Sequence, residues 1–339
     1  MKAIYDEKQA LHDPQFYLVR GVVTQSAEKP ERAERLLQGL KRVGIDVLPA
    51  KDFGPGPRAA VHTPEYLNFL ETAHHEWQKL PNPSAEVIAN IYPSRYAATY
   101  PKGIVGRAGW HMADTSCPLG PHTFEAACAG ANTALSAAEL LLNGERQAYA
   151  LCRPPGHHAF ADMAGGFCFL NNTAIAAQFL RNHHERVAIL DVDVHHGNGT
   201  QGIFYRRRDV LTISIHCDPA HYYPFHWGHR CERGSGDGEG FNLNLPLPAD
   251  SGDDAFLKAI AEARVMIEAF APTALVVALG LDASEHDPLR GLAVTTRGFE
   301  QIGAAIREMA LPTLFVQEGG YLSDALSDNL VAFMQGALV

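Results

Sequence analysis

Val187-Ala-Ile-Leu-Asp-Val-Asp-Val-His-His-Gly-Asn-Gly-Thr200 is a run of buried-strand residues that ends in side chains able to hold a cation. Val187 to Leu190 are apolar without alternation, as in a central parallel strand covered on both faces. Asp191, Asp193 and His195 are spaced by two, so a continuing strand would point all three to one side. A carboxylate and an imidazole at a strand's carboxyl end suit Zn²⁺ or a similar divalent ion, since a hard oxygen and a borderline nitrogen fill half a tetrahedron. Taken alone, an Asp-x-His reads equally well as a capped strand entering a Gly-rich loop. The surrounding chain decides between the two.

Outward from this stretch, strands and helices alternate. Strands are expected at 148–152, 187–190, 210–215, 274–279 and 313–316, and helices at 173–182, 255–269, 298–309 and 326–338. That order means a doubly wound, mostly parallel α/β sheet flanked by helices. Nearer the N-terminus, a short strand is expected at 2–5 and a polar loop with aromatics at 12–26. Pro30 then opens a helix whose Leu36, Leu37, Leu40 and Val43 share one face. A helix over 64–79 turns Leu67, Leu70 and Trp77 to the core, and an Ala-rich helix over 123–142 is closed by Asn143-Gly144. The Pro- and Tyr-rich segment 80–102 has little periodicity and reads as an insertion forming a rim loop or a subunit contact.

Ligands of such sheets bind beyond the carboxyl ends of the strands, so the residues just past each expected strand are the informative ones. They are Arg153-Pro-Pro-Gly-His-His158, Asp191 to His196, His216-Cys-Asp218, Gly280-Leu-Asp282 and Gln317-Glu-Gly-Gly-Tyr321. Titratable groups gathered on one edge point to a single site.

At 339 residues and 46% hydrophobic content the chain can bury a large core, and no repeat or composition break divides it, so one domain over 1–339 is expected. The net charge of -10 argues against a nucleic-acid partner and favours cationic ligands. None of the six cysteines forms a Cys-x-x-Cys pair, which suggests reduced core thiols in a reducing, cytoplasmic compartment. The N-terminus has no signal-like apolar region and no apolar run reaches bilayer length, so no membrane association is expected.

Asp193 and His195 supply two metal ligands and Asp282 the third, which leaves a coordination position for water and substrate. Asp191 sits deeper and can orient a neighbouring His or bind a monovalent ion through oxygen, with Ser214 contributing; the alternative is that it ligates the metal directly. His157 and His158 emerge from a rigid Pro-Pro-Gly turn, and one of them can act as general base for the water and later as acid for the leaving group. Tyr321, after Gly319-Gly320, carries a hydroxyl donor for an oxyanion. Phe167, which comes after Gly165-Gly166, and Tyr223 are candidate walls of a tunnel. His196, His216 and His286 read as structural or rim residues, and His221, His226 and His229 as a solvated loop.

Arg153-Pro-Pro-Gly-His-His158, Gly165-Gly-Phe-Cys-Phe-Leu-Asn-Asn172, Asp191 to Thr200, Leu279-Gly-Leu-Asp282 and Glu318-Gly-Gly-Tyr321, in this order, resemble the zinc-dependent histone deacetylase superfamily. Within it the bacterial acetylpolyamine amidohydrolases are most similar. The resemblance runs from Pro30 to the last helix. It implies an arginase-like α/β fold and hydrolysis of an acetylated cationic amine to acetate and free amine. It also implies one Zn²⁺ on Asp193, His195 and Asp282, with His158 as general base and acid, His157 orienting the water, and Tyr321 polarising the carbonyl. Asp191 would back His157 and, with Ser214 and the backbone of Asp193, His195 and Ile215, form a potassium site. Gly166, Phe167 and Tyr223 would flank the substrate chain, Arg32 would line an acetate exit, and a homodimer contact through 80–102 would narrow the entrance.

Three positions depart from the family pattern. Asn198 stands where some members carry Asp, giving His158 a neutral partner and a less stabilised charged form. Tyr223 replaces a frequent Phe. Asp114 is the candidate for the acidic residue that polyamine-processing members place between 105 and 119. Gly197 lacks the further carboxylate of a binuclear arginase, which disfavours a two-metal site. The competing expectations are an acetyl-lysine deacetylase of the same chemistry, and a non-catalytic binder of acetylated cationic ligands. The second has no need of the water-activating pair.

Overall fold

Apolar runs that alternate with amphipathic helices form the expected sheet, seen in a computed structural model whose described residues are 1–96 and 99–338. The strands are β1 Lys2–Tyr5, β2 Phe16–Val19, β3 Val22–Gln25, β4 Val47–Pro49, β5 Gln147–Ala150, β6 Val187–Asp191, β7 Val210–Cys217, β8 Asn242–Leu247, β9 Ala274–Leu279 and β10 Thr313–Gln317. Eight of them make one sheet in the order β4-β1-β5-β10-β9-β6-β7-β8, with every described pairing parallel. The central strands are buried along their whole length because helices cover both faces. Leu190, Leu211, Val277 and Phe315 pack with the helices Glu31–Arg42, Asp253–Phe270, Thr296–Arg307 and Leu326–Ala337. The alternate residues Ile189, Val210, Val276 and Val316 pack with Thr123–Leu142 and Asn172–Arg181. This is the alternation that a strand's period of two imposes.

All the expected strands and helices from residue 123 onward lie within two residues of their positions. Several further elements are not expected, and three places bear on the site. The loop expected at 12–26 contains an antiparallel hairpin, β2 to β3, turned by Arg20 and Gly21, both with positive φ (51° and 81°). A turn of that kind matches the twist of the strands but is uncommon with Arg at its first position. The edge strand β8 alternates Asn and Leu and includes Pro246, residues that strands usually avoid and an edge tolerates. The helix Ile104–His111 packs under Pro64–Trp77 beside the segment 80–102, of which Ala97 and Ala98 lie outside the described residues.

Register aligns the strand ends. Asp191 is level with Ala278 on one side and Ser214 on the other, and Gln317 is level with Leu279. The segments after β6, β9 and β10 therefore leave the sheet side by side. No helix among the described residues is long and apolar enough to cross a membrane.

Candidate metal centre and active site

The strand β6 stops at Asp191, so Asp193 and His195 converge through the loop after it rather than by the strand alternation expected for all three. Asp193 Oδ1 accepts the backbone N–H of His195 (2.8 Å) and lies 3.0 Å from its Nδ1, while Oδ2 accepts the N–H of Gly319 (2.8 Å). Asp282 Oδ1 accepts the N–H of Val194 (3.0 Å), and its Oδ2 stands 3.2 Å from His195 Nδ1. One ligand atom from each residue lies within 4.8 Å of the others, and all three residues are buried. Asp282 Oδ2 is buried without a hydrogen-bond donor, an arrangement that a cation on the same three atoms would satisfy. The donor set fits Zn²⁺, with three protein ligands and a fourth side open to a cavity. Any side chain at Gly280 or Gly319 would collide with these carboxylates. Among the described residues no other cluster of this kind occurs.

Burial opposes charge here, and the carboxylates overcome it selectively. Burial would raise Asp193, but the charges of His157 and His195 hold it below the usual carboxylate range. Burial would lower His195, yet the carboxylates of Asp193 and Asp282 beside its Nδ1 raise it to about 9. His157 Nδ1 lies 2.9 Å from Asp191 Oδ2, and despite burial the carboxylates of Asp191 and Asp193 push its pKa well up. His158, with its ring centroid 4.0 Å from that of His157, is pushed well down, first by burial and then by the charges of His157 and His195. Its Nδ1 is paired with the neutral Asn198 Oδ1 at 2.7 Å. Two adjacent imidazoles are thus driven apart, one toward the cation and one toward the free base, as acid–base sites require.

Tyr321 is buried beside the same cavity, its ring 5.7 Å edge-on from Phe167. Burial raises its phenol, and the Arg32 guanidinium, 4.8 Å from the ring centre, works the other way. Arg32 donates to the carbonyls of Gly320 and Glu318 (2.6 Å each) and pairs with buried Glu28 at 2.9 Å. Two further acids hold this loop. Asp287 Oδ2 accepts the N–H of Tyr321 (2.8 Å). Glu318 Oε2 accepts from Gly156 N (2.6 Å) and His157 N (3.0 Å), and Oε1 from the Thr173 hydroxyl (2.7 Å). Burial raises the Glu318 carboxyl to about 7 even though His157 and these bonds favour its charge.

The remaining expected residues divide. Asp191 Oδ1 accepts the N–H of Asp193 (3.1 Å), and Asp191 and Ser214 line a small cavity of about 10 Å³. The Ser214 hydroxyl is paired with His216 Nδ1 at 2.8 Å, and His196 and His216 are buried in hydrogen bonds. Gly166, Phe167 and Tyr223 line a cavity of about 300 Å³ together with His158, His195 and Tyr321. Asp114, half-buried, is not among the residues that line that cavity, and its Oδ2 accepts the Tyr223 hydroxyl at 2.6 Å.

Sequence reading misses Glu318, Asp287, Tyr17 and Tyr222. Tyr222 stacks on His195 with centroids 5.1 Å apart and planes at 20°. The available signals are a carboxylate directly before Gly319-Gly320, and two aromatics in succession at 222 and 223.

The chain matches the histone deacetylase domain over residues 26–337. It is 48% identical over 337 residues to an acetylpolyamine amidohydrolase of Burkholderia pseudomallei, covering 99% of this chain and 98% of that one. Acetylpolyamine amidohydrolase 1 of Pseudomonas aeruginosa is 42% identical over 341 residues, with 99% and 98% covered. A crystal structure of an acetylpolyamine aminohydrolase from Burkholderia pseudomallei superposes with a TM-score of 0.97 at 48% identity, over 99% of this chain and 98% of that one.

Proposed function

Because the chain belongs to the histone deacetylase family, we propose that it is a hydrolase removing acetyl groups from acetylated amines, acetylpolyamines foremost, to give acetate and free amine. The observation that carries this reading is the convergence of Asp193, His195 and Asp282 beneath a cavity that His158 and Tyr321 also line. A Zn²⁺ on those three side chains would supply the Lewis acid that polarises the acetyl carbonyl and acidifies water.

The chain's own residues do the rest. His158, held as the free base, takes a proton from the attacking water at the ring nitrogen not bonded to Asn198, and returns it to the departing amine. His157, kept cationic by Asp191, orients the water and offsets negative charge in the tetrahedral state. Tyr321 donates its hydroxyl to the oxyanion, a contribution of roughly a hundredfold or more in rate. The walls at Gly166, Phe167, Tyr222 and Tyr223 exclude water from the acyl group.

We propose further that residues 1–339 form one domain. K⁺ binds at Asp191 and Ser214, which the small cavity there, lined also by the oxygen-bearing Thr200, Gln201 and Thr212, supports. Homodimerisation through 80–102 is supported by the exposed side chains of Ile91, Tyr92 and Tyr96. Arg32 lines an acetate exit, a role its burial behind Tyr321 supports. A reducing cytoplasmic setting agrees with six free cysteines, and a charge of -10 disfavours nucleic acid.

The test is a competition, scored by kcat/KM, between an N-acetylated diamine, a longer N-acetylated polyamine and an acetyl-lysine peptide, using zinc-loaded enzyme. Equimolar acetate and amine from the acetylated polyamines, with the peptide much poorer, is the expected result. A higher value for the peptide would make this a protein deacetylase, and binding of all three without acetate release would make it a silent binder.

A further inference from the structure

The cavity above the candidate metal centre is lined by Tyr17, Phe167, Tyr222, Tyr223, Phe225 and Tyr321, with Arg20 and Ser116 at the same surface. Among the described residues its lining includes no carboxylate. Asp114, next to this lining, accepts hydrogen bonds through both carboxylate oxygens. Oδ1 accepts the N–H of Ser116 (2.7 Å), and Oδ2 accepts both the Tyr223 hydroxyl (2.6 Å) and the N–H of Gly166 (3.1 Å).

Those partners belong to different chain segments of the cavity wall, with the Tyr223 hydroxyl next to the Gly165-Gly166 turn. Tyr223 stands on the long loop between β7 and β8, its ring edge-on to His158 at 4.9 Å and 88°. Gly166 and Phe167 form a tight turn closed by the reciprocal bonds of Gly165 and Cys168, with φ of +51° and +69°. An aromatic residue at positive φ is strained by about 1–3 kcal/mol, and such strain persists where surrounding bonds over-determine it. The segment carrying Asp114 is itself tied to the Gly165 turn, since Ala113 N–H donates to Ala164 C=O at 2.7 Å. A single carboxylate therefore joins two separate segments of the channel wall beside the reacting centre.

We propose that Asp114 is a specificity-determining positioning residue, which fixes the bore of the channel by tying Tyr223 to Gly166 and does not pair with the substrate's distal ammonium. Selection then works by shape. An unbranched alkyl chain fits between the rings, which also attract an ammonium through their faces, whereas a chain branching into a peptide backbone requires the walls to part. The proposal rests on the deacetylase reading above.

The experiment uses zinc-loaded parent enzyme, Tyr223→Phe, Asp114→Asn and the double variant. Each is assayed on a linear N-acetylated diamine, a neutral N-alkylacetamide of the same length, and an acetyl-lysine peptide. Tyr223→Phe keeps the ring and removes the tether. It is expected to raise the peptide-to-diamine ratio of kcat/KM by about tenfold, the scale of one hydrogen bond to a charged group. Asp114→Asn should shift the ratio similarly, and the double variant should go no further than either single change, as one shared tether requires. The diamine's advantage over the neutral amide should stay the same in all four proteins. A merely structural role would lower all three substrates together and leave the ratio flat. Ratios within twofold of the parent in Tyr223→Phe would overturn the proposal, a readout that survives even if Asp114→Asn does not fold. So would loss of the diamine's advantage in Asp114→Asn alone, which would mean that Asp114 meets the ammonium directly. Parent enzyme that cleaves none of the three would instead sink the deacetylase reading, and this proposal with it.

Discussion

The floor and the walls of the cavity are held by different forces. At the floor, Asp193, His195, Asp282 and Tyr321 all lie within four residues of the end of β6, β9 or β10, three neighbouring strands in fixed parallel register. Around the walls, Phe167, Tyr222 and Tyr223 hang on loops whose relative placement depends on side-chain bonds such as that from Tyr223 to Asp114. The floor inherits its geometry from a backbone ladder, and the walls take theirs from a few polar tethers. Damage to the floor should therefore slow every substrate alike, while damage to the walls should redistribute activity among substrates.

The sharpest way to break this contrast is to remove a floor ligand. Asp282→Ala should take bound zinc from roughly one per chain to near zero and activity below detection on every acetamide. Metal analysis beside the assay checks it, and retained zinc with full turnover would contradict the site. Next in size, Tyr321→Phe should lower kcat by about a hundredfold or more with similar loss on the linear and the branched substrate, read from steady-state kinetics. A selective loss on one substrate would blur the division between floor and wall.

Glu318→Gln keeps the shape and an oxygen to accept from Gly156 and His157, while the Thr173 hydroxyl must turn to accept from the new amide and the ionisable carboxyl is lost. It should reduce kcat by about tenfold for both substrates with zinc content unchanged. An effect on the substrate ratio would assign Glu318 to the wall instead. The smallest effect concerns how the Gly165 to Asn172 segment is anchored. His62 Nε2 accepts the N–H of Asn171 (3.0 Å), and burial depresses its folded pKa to about 4 from 6.5. A depressed histidine contributes stability that is present above pH 6.5 and is lost as pH falls toward 4, by at most about 1.4 kcal/mol per pH unit. Denaturation midpoints between pH 7 and pH 4 should fall less steeply in His62→Gln than in the parent, and identical slopes would rule out this contribution.

The same contrast explains what can be read in the sequence. Asp193, His195, Asp282 and Tyr321 are legible because apolar strand runs announce where the sheet ends, and ligands lie just past those ends. Even there, the strand alternation that would aim Asp191, Asp193 and His195 together is the wrong reason, since β6 stops at Asp191. The walls are legible only as candidate aromatics. Asp114 is legible only as a candidate acid, and nothing local reveals that it bonds Tyr223, 109 residues away. The hairpin β2 to β3 is hidden by an Arg at a turn position that favours Gly or Asn, and β8 by its asparagines and proline.

Glu318 grips the turn that precedes His158 while its own backbone carbonyl is gripped by Arg32, one residue before the Gly-Gly pair that leads to Tyr321. The proton carrier and the oxyanion donor, though more than 160 residues apart along the chain, are therefore coupled like two jaws on a single hinge pin. A change at Glu318 should therefore disturb both ends of the catalytic machinery at once.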